Sequence, residues 1–370
     1  MLLAHAGALV VCLAAAVAAG GQAAPERPPM AEQVFKNVQV LKGIPVDEFM
    51  GTMGFFASSL GLNCTDCHVE ESGGSWARYA DDNALKQRTR QMVVMMNTIN
   101  RTNFGGRQVV TCNTCHRGTP RPNVMPSINL LYGEPPPDEP GDPFEQAPGQ
   151  PPPDQVLDKY IAAIGGAQRV AALTSFTGKG TYIGFDDADK APLEIVARAP
   201  GHRTAIVHGL AGDTTTTFDG RSGWIAAPPT DRPVPLLAVT GQELEGLKLE
   251  AELLFPSRIR DVLTKWRVGL PALLADREVR VVQGTTAGGG VATLCFDAET
   301  GLLVRLVRYA QSPVGRLVTR VDYGDYREVA GVRMPFRWTV SWLSGRSTYE
   351  LTDVQPNVPV PDARFARPAR

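Results

Sequence analysis

The chain has 370 residues, with 37 basic against 38 acidic side chains, a formal charge of −1, 43% apolar and 20% charged residues. That is enough chain for two cores of ordinary size, and the near-neutral balance excludes nucleic acid as the main partner. Six cysteines and 30 prolines are unevenly placed, and their placement divides the molecule.

Leu9 to Ala19 is an apolar run followed by Gly21-Gln22-Ala23-Ala24-Pro25, small residues that suit a signal peptidase, with Pro25 ending any helix. Residues 1–24 therefore read as a secretory signal. The alternative is an uncleaved anchor from Leu2 to Ala19, close to the ~20 residues that span a bilayer. Either reading exports the body of the protein, to the periplasm or to the outer face of a bacterial inner membrane.

From Asp47 to Leu60, Phe49, Met50, Met53, Phe56, Ala57 and Leu60 recur at helical spacing. Asp47 is the expected N-cap and Gly61 the stop. A second helix is predicted from Asp82 to Asn100, with Leu85, Met92, Met95 or Met96, and Ile99 turned inward and Asp82 or Asn83 as cap. Residues 30–125 thus form a helical unit holding seven of the nine methionines and four of the cysteines. Twelve prolines then crowd Thr119 to Gln155, and residues 126–153 read as an extended, solvated linker.

Residues 154–370 open with an amphipathic helix from Asp154 to Leu173. Alternating runs follow at Leu193–Ala197, Thr204–His208 and Thr214–Phe218. A helical stretch from Glu243 to Trp266 is interrupted at Pro256. Runs resume at 279–282, Ala292–Phe296, Leu303–Tyr309, Leu317–Tyr323, Phe336–Trp342 and Ser347–Thr352. Hairpin-linked strands with a few helices predict an antiparallel sheet curled over them, an α+β domain. Cys295, on an alternating strand, is expected to be a buried apolar residue.

The chemistry is concentrated in Cys64-Thr65-Asp66-Cys67-His68 and Cys112-Asn113-Thr114-Cys115-His116. In C-x-x-C-H, two thiols on one turn can add to the two vinyl groups of a haem, and the histidine then stands under the iron. The pattern predicts two covalent haem c groups, with Cys64, Cys67, Cys112 and Cys115 as attachment points and His68 and His116 as proximal ligands. Disulfides have no use for the two histidines. A four-thiolate zinc site is the stronger rival, but 44 residues separate the pairs, against ~15–20 in ribbon-type sites. For the distal position, His202 and His208 fall in the other half of the chain, whereas methionine abounds where a donor is needed. Met53, eleven residues before Cys64, is the first candidate, with Met50 as fallback. For the second iron the candidates are Met92, Met95 and Met96, periodicity preferring Met92.

Several segments resemble the photosynthetic reaction-centre cytochrome c subunit family: Val34 to Gly43, Thr52-Met53, Cys64–His68, Arg90-Gln91-Met92, Ile99-Asn100, Phe104-Gly105-Gly106 and Cys112–Gly118. The resemblance covers about residues 30–125 and implies two units of helix-borne methionine followed by C-x-x-C-H. By motif, Met53 and Met92 carry the distal role. Typical members carry four haems; two motifs stand here, and the family's distal histidine has no evident counterpart. The C-terminal half resembles LolA-like periplasmic half-barrels through Ile164-Gly165-Gly166, Tyr323-Gly324-Asp325-Tyr326, Met334-Pro335-Phe336 and Asn357 to Phe365.

The fold expected is therefore a mainly α c-type cytochrome module followed by an α+β half-barrel with a curved antiparallel sheet. The expected function is single-electron transfer with a redox protein or a membrane electron-transfer complex. The alternatives are a binding protein holding an apolar, lipid- or quinone-like molecule in the half-barrel, and a peroxidase-type enzyme with an open axial position.

Overall fold

In the computed structural model, residues 28–68, 75–133, 141–184, 190–229 and 234–368 are described; the secretory-signal segment lies outside them. The first part forms α1 (Ala31–Val34), α2 (Val46–Leu60), α3 (Cys64–Cys67), α4 (Ala84–Phe104) and α5 (Cys112–His116), with α6 (Ile128–Tyr132) beyond. Gly61 ends α2 as predicted, in the left-handed conformation at φ 63°, its N–H donating back to Ala57 and Ser58. The start of α2 differs from expectation. Pro45 takes the N-cap position, and the Asp47 carboxylate turns away to accept from Thr240 N and Oγ1 at 2.6 and 2.9 Å.

Asn83 caps α4, its Oδ1 accepting from Lys86 N at 2.9 Å. The buried line of α4 is Val93, Met96 and Asn100; Met96 is the one member shared with the predicted stripe, and the rest lie one step round the helix. Leu85 is 39% exposed, and Met92 and Ile99 are half-buried. The reason is tertiary: Val93 and Met96 join a core with Leu41 and Phe55, and Asn100 is drawn in by hydrogen bonds that a hydrophobic count does not register.

The proline-rich segment is not solvated throughout. It contains α6, and the stretch after residue 141 lies on the sheet. Gln146 Oε1 accepts from Val268 N at 2.7 Å, Ala147 N donates to Val268 O at 2.8 Å, and Phe144 N donates to Gln283 Oε1 at 3.1 Å.

The single helix expected from Asp154 to Leu173 is two, α7 (Pro153–Ala163) and α8 (Ala167–Ala172), broken where Gly165 and Gly166 adopt φ 131° and 88°. The strands are β1 (Ser175–Ile183), β2 (Lys190–Arg198), β3 (His202–Gly209), β4 (Gly212–Asp219), β5 (Gly223–Ala226), β6 (Leu236–Val239), β7 (Thr264–Val268), β8 (Ala272–Leu274), β9 (Arg277–Thr285), β10 (Val291–Asp297), β11 (Leu303–Ser312), β12 (Gly315–Val329), β13 (Val332–Trp342) and β14 (Gly345–Pro356). Between β6 and β7 stand α9 (Gly241–Leu253) and α10 (Ile259–Val262). The helical stretch predicted to reach Trp266 therefore stops at Val262, and Trp266 lies in β7.

Neighbouring strands pair antiparallel in the order β6-β5-β4-β3-β2-β1-β14-β13-β12-β11-β10-β9-β7, with β8 on β9. The main core fills the space between this curved sheet and its helices: Leu157 and Ile164 from α7 and its cap, Leu249 from α9 and Ile259 from α10 meet Ile195, Leu294 and Leu306. This is the predicted α+β arrangement. Cys295 is buried, as expected, beside Val279 and Val281.

A second, smaller core joins the two parts. Phe55 of α2 packs with Ala310, Val314 and Leu317 of the β11–β12 hairpin. Gly51 and Gly315 make the approach possible: a Cβ on Gly51 would stand 2.5 Å from Leu317 Cδ1, and one on Gly315 2.1 Å from Phe55 Cζ. Gln108 Nε2 adds a hydrogen bond to Ser312 O at 3.0 Å.

Candidate functional site

With one face of α2 committed to the hairpin, the other carries Phe49, Met53, Phe56, Ala57 and Leu60 along one wall of a cleft. The cleft holds about 1010 Å³ of atom-free space, counting its open mouth. The opposite side brings Cys64, Cys67 and His68, then Tyr79, Lys86, Arg90 and Val93. The structure thus assembles four of the predicted residues, Met53 with Cys64, Cys67 and His68, around one apolar space. Met50 does not border it.

The local folding of the attachment turn follows from its residues. Asn63 Oδ1 accepts from Thr65 N and Asp66 N at 2.9 and 3.1 Å, and Asp66 Oδ2 accepts from Asn63 N at 2.7 Å. This reciprocal cap forces one helical turn and sets Cys64 and Cys67 along it. His68 then leaves the helix with Nδ1 3.0 Å from Tyr79 O and its ring stacked on Tyr79, centroids 4.5 Å apart. With Nδ1 engaged as donor to a carbonyl, Nε2 is the nitrogen left with a lone pair for a metal. Burial first, and then the Lys86 cation, pull the His68 pKa below the ordinary value, which favours the neutral, ligating form.

The second turn repeats the device. Thr111 Oγ1 accepts from Thr114 N at 3.3 Å, and His116 Nδ1 lies 3.1 Å from Thr119 O. Burial pushes the Cys112 thiol up to about 11, as it also raises the Cys67 thiol of the first turn. The second turn's surroundings are more open than those of the first turn. Cys115 is exposed, as Cys64 is in the first turn; the difference lies in the side chains around it, with Val94, Met95 and Val109 55%, 46% and 48% exposed. Of the methionine candidates, Met96 is committed to the core beside Val93, Met95 faces outward and Met92 is half-buried.

Helix α4 is the strut between the two turns. At its start Asn83 Nδ2 donates to Cys67 O at 2.7 Å; near its end Asn100 Nδ2 donates to Val110 O at 2.7 Å and Asn100 Oδ1 accepts from Val110 N at 2.9 Å. A further bond, Gly118 N to Ser59 O at 2.9 Å, ties the second turn to the end of α2. Asn83 was legible only as a helix cap, and Tyr79 and Lys86 carried no pattern at all. Their roles arise from a loop closing back on the histidine.

Zinc and disulfide alternatives find no support in this geometry. The four patterned cysteines are unpaired, and among the described residues no three His, Cys, Asp or Glu side chains converge as a metal ion requires. A haem fits the first cleft, where two thiols, an imidazole nitrogen and a thioether border one apolar volume. His202 and His208 lie on β3, His202 Nδ1 against Pro200 O and His208 Nδ1 against Asp213 Oδ1, outside the lining of that cleft. Arg107 and Arg117 are exposed, Arg117 serving as the left-handed cap of α5 at φ 48°.

In class, then, the first part is a helical module presenting two C-x-x-C-H turns on a common strut. Residues 9–129 match the family described as photosynthetic reaction centre cytochrome C subunit. The chain is similar to the photosynthetic reaction center cytochrome c subunit of Thermochromatium tepidum, at 39% identity over 98 residues, 25% of this chain and 23% of that protein. It is similar to the corresponding subunit of Rubrivivax gelatinosus at 36% identity over 102 residues, 26% of each chain. It thus spans about a quarter of the length of the curated relatives it matches. Among solved structures it is similar to a LolA superfamily protein from Nitrosomonas europaea, at 15% identity and a TM-score of 0.41, covering 59% of this chain and 98% of that one. Among the described residues no helix is long and apolar enough to cross a membrane.

Proposed function

We propose that this protein is an exported dihaem c-type cytochrome, built of a haem module over residues 30–125, a linker over 126–153 and a half-barrel over 154–370, behind a signal at 1–24. The observation that carries the reading is the convergence of Met53, Cys64, Cys67 and His68 on one cleft. Cys64 and Cys67, and likewise Cys112 and Cys115, hold one haem each through thioether bonds; His68 and His116 are proximal ligands. Met53 is the distal ligand of the first iron and Met92 that of the second. Held by these side chains, the groups would supply one-electron exchange. The partner is a redox protein or a membrane electron-transfer complex. The test is mass spectrometry of protein made with haem-attachment machinery: two adducts are expected, and none would overturn the reading.

A second function is favoured by a specific observation in the half-barrel. A cavity lined by Tyr160, Phe176, Ile195, Arg203, Glu250, Tyr323, Met334 and Trp338 lies between sheet and helices. Tyr160 is 4% exposed, and burial pushes the Tyr160 and Tyr323 hydroxyls above the ordinary tyrosine range. In the same cluster Arg203 stands 4.0 Å from Glu250, and Arg308 pairs with Glu243 and Glu250 at 2.7 and 3.2 Å. Two cations and two carboxylates balance, so the lining suits a neutral group, and at about 50 Å³ the space as it stands takes one end of an apolar molecule rather than the whole of it. Solvent extraction of the purified protein should release a lipid or quinone; an extract free of both would remove this second reading.

A further inference from the structure

The two proximal histidines use the same device on carbonyls of different character. At the first turn Tyr79 O faces His68 Nδ1 at 3.0 Å and also accepts from Lys86 Nζ at 2.6 Å. The same ammonium donates to Asp81 O at 2.7 Å, and Lys86 borders the cleft. The nearest carboxylates have other partners: Asp81 pairs with Arg78 at 3.4 Å, Asp82 with Arg90 at 2.7 Å, and Asp66 caps its own turn. At the second turn Thr119 O faces His116 Nδ1 at 3.1 Å. Among the described residues it receives no side-chain cation.

Resting on the dihaem reading above, we propose that Lys86 is a positioning residue that raises the reduction potential at the first site above that at the second, so that a single electron shared between them resides at the first. Two effects of the same sign support this. A carbonyl already shared with an ammonium is a weaker acceptor, so it draws less on the His68 N–H, and the ring then donates less density to the iron. Less donation favours the reduced metal. The ammonium also stands in the wall of an apolar cleft, where its field is weakly screened and opposes the extra positive charge of the oxidised form. Enclosure by Phe49, Phe56 and Leu60 acts in the same direction. The exchange is balanced as one electron: iron at the second site passes from ferrous to ferric as iron at the first passes from ferric to ferrous, and no proton or bond moves.

The test is a reductive titration of the full-length holoprotein with dithionite, followed in the visible. Two one-electron steps are expected. Met53→Ala should displace the upper step, assigning it to the first site. Lys86→Leu should lower the upper step and leave the lower one in place, with haem content and the near-infrared methionine–iron band unchanged; Lys86→Arg should restore most of the shift. A single two-electron step, an upper step untouched by Met53→Ala, or a Lys86→Leu protein with both steps unmoved or moved equally would overturn the proposal. The Met53→Ala assignment stands even if Lys86→Leu does not fold. Haem content separates the failures: two haems at equal potentials refute this inference alone, whereas fewer than two refute the dihaem reading.

Discussion

The two C-x-x-C-H turns share a pentapeptide pattern, a side-chain cap and a histidine held through Nδ1, and over the first of them an apolar cleft bordered by Met53 is gathered. Around the first, α2, α4 and the Tyr79 loop close an apolar cleft in which Cys64 and Cys67 meet Met53. The thiols themselves do not differ: Cys64 and Cys115 are both exposed, and Cys67 and Cys112 both half-buried. The attachment pattern specifies a local turn, and only the surrounding helices decide how far a bound group is removed from water. The apolar wall that α2 sets against the first turn, not the motif or the burial of its thiols, is what distinguishes that site.

The largest test of this contrast removes one pair of thiols at a time. Cys64→Ala with Cys67→Ala should lower haem content from two per chain to one and markedly lower the melting temperature, because it empties the apolar cleft that α2 and α4 line. Cys112→Ala with Cys115→Ala should lose the same amount of haem with a smaller loss of stability. Equal melting temperatures would abolish the distinction. Next in size is Phe55→Ala, which deletes the ring seated on Gly315 and should cost about 3–5 kcal/mol, measured by denaturant unfolding. A cost under about 1 kcal/mol would mean that the two parts do not rely on their shared core.

A smaller, spectroscopic effect is expected at the distal ligands. Met53→Ala should remove about half of the near-infrared methionine–iron absorption, and Met92→Ala the other half, if the two irons are alike in coordination. Retention of the full band in the Met92→Ala protein would direct attention to Met95. The smallest effect concerns pH. Burial raises the Asp47 pKa, so the folded chain takes up this proton more readily than the unfolded one. Its contribution is therefore greatest below the ordinary carboxylate range and is lost as pH rises through the raised value. Asp47→Asn, which keeps an oxygen for Thr240 N, should gain stability relative to the parent between acidic and neutral pH. An unchanged difference across that range would place the charge elsewhere.

Much of this was legible in the amino-acid order. The extent of α2, the left-handed stop at Gly61 and the long alternating strands β2 to β4 and β9 to β14 follow from local periodicity and turn residues. What escaped was set by partners distant in sequence. The buried face of α4 is rotated by Leu41, Phe55 and the bonds of Asn100. Asp47 leaves its expected capping role for Thr240, 193 residues away. Strand β1 hides behind Gly178 and Gly180, the second at a bulge where a Cβ would stand 1.9 Å from Glu350 O. Tyr79 and Lys86, which carry the asymmetry between the two sites, belong to no recurring pattern.

The seat of Phe55 on the β11–β12 hairpin has a consequence for biogenesis. The helical layer near the start of the chain cannot complete its packing until Val314 and Leu317 have been synthesised. Until then the turns that carry Cys64, Cys67, Cys112 and Cys115 rest on a core that lacks its β11–β12 half.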